Sequence, residues 1–341
     1  MTLHRGTPVV EQFINNPRQS LSMKHIIPRA LILWITLIGA LPTAPILIAG
    51  EGGTSHVIPG SMATLIDLPP TKPGWVIETA YLHYSGDVGA SRRLEVGGLI
   101  TANLDATSDA FLLGSFYTFP KEALGAWYSV GVFVPYVWMD VTARVDTPLG
   151  GLRRNDVENG IGDITLLPLM MGWKKQDWQF DAVLPIYLPS GDYEAGRLAN
   201  PGLNYWTFDP TVGLSYNGAK NGFNAALHTG FGINTENDKT NYRSGTLWHT
   251  DVSVQQLLPV GPGFLGLGAN AFFYQQISGD SGSGTRLGDL KGRTIGIGPV
   301  VTYVLPVKKN TLVFEARWLP ELETQNRLSG DYFWAKLVYQ F

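Results

Sequence analysis

Asp331-Tyr-Phe-Trp-Ala-Lys-Leu-Val-Tyr-Gln-Phe341 ends the sequence, and its alternation decides the fold. Phe341, Tyr339, Leu337, Ala335 and Phe333 take every second position, while Gln340, Val338, Lys336 and Trp334, grouped with Asp331, form the other set. A period of two describes a strand with one apolar and one more polar face. Left as a free edge in water, such a strand templates aggregation. In lipid it can close a cylinder and leave no edge. The ending asks for a membrane.

The rest of the chain repeats the pattern. From Trp75 onward, strand-length stretches fall at 75–84, 94–118, 126–140, 162–173, 178–188, 205–217, 222–233, 246–258, 264–276, 293–305, 310–320 and 331–341. In 205–217, Trp206, Phe208, Pro210, Val212, Leu214 and Tyr216 oppose Thr207, Asp209, Thr211, Ser215 and Asn217. Apolar-out and polar-in is the pattern of a transmembrane barrel, although a soluble sandwich alternates in the same way. Connection length separates the two. Turns near 174–177, 218–221, 259–263 and 306–309 are short, and they alternate with long polar connections at 141–161, 189–204, 234–245, 277–292 and 321–330. Short turns on one rim with long loops on the other, and tryptophans near strand ends, fit an outer-membrane barrel. Both chain ends on the periplasmic side require an even strand number. The expectation is an all-β, antiparallel up-and-down barrel of twelve strands over 75–341, or fourteen if the preceding segment adds a strand. Phe341, Tyr339 and Leu337 then form the terminal signature that barrel-assembly machinery reads.

The other end of the chain agrees. Met23-Lys-His-Ile-Ile-Pro-Arg29 is basic, Ala30–Ala40 is apolar, and small residues follow, with Ala44 and Ala49 as candidate cleavage points. The motif at Ala49 is imperfect, because Leu47 stands where a small residue is preferred. This is the order of a secretory leader. The apolar run falls short of the roughly 20 residues a spanning helix needs, and Pro42 and Pro45 interrupt it. Residues 1–50 read as the signal-peptide region, with Met23 an alternative start. Residues 51–74, rich in Gly and Pro, read as an irregular arm that either plugs the barrel or leads into it.

Composition narrows the function. Residues 1–50 carry Arg5, Arg18, Lys24, Arg29 and the single acid Glu11, so the remainder moves from a net charge of −3 to −6. No basic stripe supports nucleic-acid binding. Without cysteine there is neither a thiol nucleophile nor a thiolate metal site. His56, His83, His228 and His249 show no ligand spacing, and no metal or cofactor is expected. The loop 278–288 (SGDSGSGTRLG) lacks the Lys-Ser/Thr ending of a phosphate-binding loop. Projected inward, the polar face holds Glu78, Asp181, Asp209, His228, His249, Asp251, Glu315, Arg317 and Lys336, the candidate lumen lining. Glu315 and Arg317, two apart, can pair locally. A hydrolase assembled from His228, His249, Asp251 and Ser253 is the catalytic alternative, but no motif strains or exposes the serine. An adhesive barrel acting through its loops is the structural one.

A denser pattern occupies the middle: Asn159-Gly-Ile-Gly-Asp163, Pro168, Trp173, Pro185, Pro189-Ser-Gly-Asp-Tyr193, Asn200-Pro-Gly-Leu-Asn-Tyr-Trp206 and Asp209-Pro210. Together with Gly52-Gly-Thr-Ser-His-Val-Ile-Pro-Gly60, it resembles the outer-membrane family named after the meta-cleavage pathway of phenol degradation. That resemblance implies passage of a small hydrophobic or aromatic solute across the outer membrane, with outer-membrane lipid as the surroundings. On physical grounds, Gly160 and Gly162 suit backbone angles closed to other residues. Pro168 and Pro185 suit bulges or kinks in the wall.

Overall fold

The computed structural model describes residues 50–147 and 150–341; apart from Gly50, the expected leader lies outside them. Among the described residues the strands are β1 (Gly74–Val96), β2 (Leu99–Thr118), β3 (Trp127–Thr147), β4 (Gly150–Ile161), β5 (Thr165–Lys175), β6 (Trp178–Tyr187), β7 (Thr207–Phe208), β8 (Thr211–Asn217), β9 (Phe223–Asn234), β10 (Leu247–Val260), β11 (Gly263–Gln276), β12 (Arg293–Val307), β13 (Asn310–Gln325) and β14 (Ser329–Gln340). All pairings are antiparallel. β4 lies along the upper half of β3 and β5 along its lower half, so the two make one stave broken at 162–164. β7 and β8 likewise make one stave, broken at Asp209-Pro210, between β6 and β9. Fourteen segments therefore form twelve staves. β14 pairs with β13 on one side and β1 on the other, which closes the cylinder. The arm adds no strand, so the fourteen-stranded alternative is not needed.

Parity along each strand sorts the side chains. Phe111, Leu113, Val212, Leu214, Leu227, Val252, Ile297, Phe314 and Leu337 are large, apolar and exposed, and their alternates are buried or half-buried. A soluble surface cannot carry such a belt; in lipid it is the required outer face. Trp75 at the foot of β1 and His83, level with Trp138 through Asp109, lie eight residues apart, about 26 Å along the strand. Asp331, grouped by sequence with the polar set, shares the parity of Phe333 and is exposed. Leu337, Tyr339 and Phe341 stand on the outward side, and the Phe341 amide donates to the Trp75 carbonyl at 3.0 Å.

Two expected loops are strand instead. Residues 85–93, left between two expected strands, extend β1, which also takes 94–96 from the expected single strand 94–118. Residues 141–161 belong to β3 and β4, apart from the undescribed pair 148–149. Above the lipid level a strand needs no apolar outer face, so the polarity that reads as loop is only solvent exposure. The inner face of these extensions still buries a core of Val88, Leu94, Val96, Leu104, Val141 and Ala143 against Leu198 and Leu328. Gly97 and Gly98, at φ 55° and 78°, form the two-residue turn that reverses β1 into β2. The connection 321–330 is likewise mostly strand, with only 326–328 left between β13 and β14. Three long connections remain on this rim, at 188–206, 235–246 and 277–292.

Gly160 and Gly162 have no positive φ, contrary to the expectation for them. A Cβ on Gly162 would sit 3.1 Å from Pro135 Cγ, Val137 Cγ2 and the Pro201 carbonyl, so close packing selects that glycine. The register slips between Leu166 and Leu169, the step that contains Pro168 and faces Pro185.

Candidate functional site

The arm runs through the lumen from one rim to the other. Gly50 and Glu51 sit among the long connections, where their amides donate to Asp280 Oδ2 (2.8 Å) and Ser244 Oγ (3.2 Å). Lower down, Trp334 Nε1 donates to the Pro59 carbonyl (2.9 Å), and the Gly60 amide donates to Asp251 Oδ1 (3.1 Å). Near the opposite rim, Gln179 Nε2 donates to the Pro69 carbonyl (2.9 Å) before the chain enters β1. Gly60 has φ 81°, and a Cβ there would lie 2.6 Å from Leu319 Cδ1. Only glycine lets the arm approach the wall so closely.

A 3-10 turn at Leu65–Asp67 carries the central anchor. Asp67 Oδ1 accepts from Lys336 Nζ at 2.5 Å; Oδ2 accepts from Arg317 Nη2 at 3.0 Å and from the Ala63 and Thr64 amides at 2.9 Å each. Arg317 also pairs with Glu315 at 2.7 Å, and Lys336 reaches Glu78 at 3.8 Å. Thr64 and Thr302 hydroxyls donate to Glu315 Oε2 at 2.8 and 2.9 Å. Cross-strand register brings Glu315 opposite Lys336, while the arm supplies the third carboxylate. All five charged side chains are buried in protein.

A second anchor joins the arm to the wall break. His56 Nε2 lies 2.8 Å from Asp163 Oδ2 and Nδ1 lies 2.7 Å from Thr207 Oγ1, with the ring stacked on Tyr187 at 5.0 Å. Asp163 also accepts from the Gly191 and Leu203 amides at 2.8 and 2.6 Å. One aspartate in the gap between β4 and β5 thus ties together the wall, the 188–206 connection and the arm.

All nine candidate lumen residues are buried on the inner face, but they do not form one constellation. Glu78, Glu315, Arg317 and Lys336 gather around Asp67. Asp209 and His249 pair at 2.8 Å, so His249 is engaged by Asp209 rather than by Ser253. Asp251 accepts from Tyr274 Oη at 3.0 Å and from the arm at Gly60. Asp181 is met by Gln179 at 2.7 Å, and neither ring nitrogen of His228 has a hydrogen-bond partner among the described residues. Sequence reasoning missed Asp67, His56 and Asp163 as contact residues. His56 and Asp163 lie inside motifs quoted above. Asp67 is marked locally only as the last residue of the Thr64-Leu-Ile-Asp67 capping box, which gives no sign of its partners on the wall.

The arm divides the remaining space. A cavity of ≈ 360 Å³ lies beside residues 61–72, walled by Met62, Ile66, Phe116, Phe133, Leu167, Met170 and Val183. Another of ≈ 270 Å³ lies beside residues 51–59, walled by Val57, Ile58, Leu82, Leu112, Val137, Tyr187 and Tyr332. Gly60 is the step between them.

Known proteins place this architecture. Residues 90–337 match the model of the family described as "Putative MetA-pathway of phenol degradation". No match is found among curated proteins. The solved COG4313 outer membrane channel from Pseudomonas putida F1 is similar at 16% identity and a TM-score of 0.61, over 84% of this chain and 100% of that one. The β domain of the Bordetella autotransporter BrkA aligns at 11% identity and a TM-score of 0.47, over 79% and 100%. The chain belongs to the phenol-degradation family, as an outer-membrane barrel of twelve staves whose own N-terminal arm threads the lumen.

Proposed function

We propose that this barrel carries a small hydrophobic or aromatic solute across the outer membrane. The observation behind the reading is the contrast within the lumen. The charges around Asp67 pair with one another and with the arm. The two spaces beside the arm are instead walled mainly by apolar side chains such as Met62, Phe116, Phe133, Leu82 and Val137, with Lys72, Glu78 and Arg327 among the charged groups at their edges. A polar solute would have to compete with pairs as close as Lys336–Asp67 and Arg317–Glu315. An apolar solute loses only water and gains side-chain contact. Both cavities are at or just below the lower end of the size range of small-molecule sites. Passage from one to the other requires the arm to shift near Gly60. The family resemblance and the outer-membrane channel fold support the same reading. Delivery to the membrane would depend on assembly machinery that reads the outward Leu337, Tyr339 and Phe341.

The test is uptake by a deletion strain across alkylphenols, hydrocarbons, fatty acids and a sugar control. The expected result is slower uptake of one apolar class with unchanged sugar uptake, restored by the wild-type gene but not by Phe133→Asp. Unchanged apolar uptake in the deletion strain would overturn the proposal.

A further inference from the structure

The extracellular end of the arm sits in a socket that the transport reading does not use. Gly50 and Glu51 are buried there. Asp280, also buried, accepts from four donors: Tyr242 Oη at 2.6 Å, Gln276 Nε2 at 2.6 Å, the Gly245 amide at 2.9 Å and the Gly50 amide at 2.8 Å. All four donors are neutral. Glu51 is handled in the same way, by Tyr193 Oη and Asn237 Nδ2 at 2.9 Å each and by Thr240. Two buried carboxylates held by neutral groups are an expensive arrangement, because hydrogen bonds alone do not replace a counter-charge. Burial raises the Asp280 carboxyl above its usual range, and its donors offset this only in part.

The residue before Gly50 is Ala49, one of the two small residues at the exit of the leader. The geometry points to Ala49–Gly50 as the processing site, with the new Gly50 α-ammonium captured by Asp280 so that the arm is locked at its outer end in the processed chain. Hydrolysis places the water's hydroxyl on the Ala49 carbonyl carbon and its proton on the Gly50 nitrogen. The C–N bond breaks, the leader departs with a carboxylate, and the primary amine takes a second proton from solvent. A contact in which only the acceptor carries charge then becomes an ammonium–carboxylate ion pair at the same atoms. Cleavage after Ala44 would instead leave five residues ahead of a glycine that is already buried, ending on the secondary amine of Pro45. The inference is independent of which solute passes.

Two measurements on the exported full chain test it. Intact mass of the barrel extracted from outer membranes is expected to correspond to residues 50–341; a chain beginning at Pro45 or elsewhere overturns the assignment. Acylation of the α-amine by an N-hydroxysuccinimide ester is then followed in folded and urea-unfolded protein. Capture predicts a folded rate at least about tenfold below the unfolded rate, with the protection lost in Asp280→Asn. Equal rates in folded and unfolded wild type overturn the capture, and this comparison stands even if the variant does not fold.

Discussion

Replacing Asp67 with alanine is the sharpest perturbation of the arm. The substitution removes the acceptor of Lys336 Nζ at 2.5 Å, of Arg317 Nη2 at 3.0 Å and of two backbone amides at 2.9 Å. Removing one member of a buried ion pair costs about 3–5 kcal/mol. The lower end applies here, because Arg317 keeps Glu315 at 2.7 Å and Lys336 keeps the Ser61 carbonyl at 3.0 Å. Losing one of the three clustered carboxylates also leaves two acids against two bases. The cost falls on the arm rather than the wall, since β13 and β14 retain their full ladder. About 3 kcal/mol of lost anchoring raises the displaced-arm population by roughly a hundredfold, at 1.4 kcal/mol per factor of ten. In planar bilayers, Asp67→Ala should therefore open about a hundred times more often than wild type, and residues 51–73 should become sensitive to protease. Asp67→Asn, which keeps the shape without the charge, should fall between the two. Wild-type traces and wild-type protease resistance, in a variant that still shows heat-modifiable mobility, would refute the reasoning.

Other perturbations separate arm from wall. Gly60→Ala forces a side chain into φ 81° and against Leu319; it should cost roughly 1–2 kcal/mol from backbone conformation alone and raise conductance with little change in barrel melting. His56→Ala strips the buried Asp163 of its ring partner and should loosen the 188–206 connection, read as faster hydrogen exchange at Gly191 and Leu203. Phe314→Arg puts a charge on the lipid face at the level of Thr79, midway between Trp75 and His83. It should cost about 2–4 kcal/mol in folding into vesicles and leave the arm's protease resistance unchanged.

The sequence by itself determined the barrel. Strict alternation in 205–217 and 331–341 sets which residues face lipid, because a pleated strand has only two faces and lipid accepts only one kind of side chain. Parity then sets an even number of staves. Phe314 and Leu337 could be placed outside, and Glu315, Arg317 and Lys336 inside, before any partner was known. The tertiary structure alone decided what those inward groups meet. Asp67 reaches Arg317 across 250 positions and Lys336 across 269, in an arm without periodicity, so no local pattern could pair them. Alternation also failed above the lipid, at 85–93 and 141–161, where water wets the outer face and strand and loop have the same composition. Asp163 falls in a motif, but its role as the tie between wall, connection and arm exists only once the break at 162–164 is folded against His56. A face is a local property of the chain. A partner depends on how the whole cylinder closes around its contents.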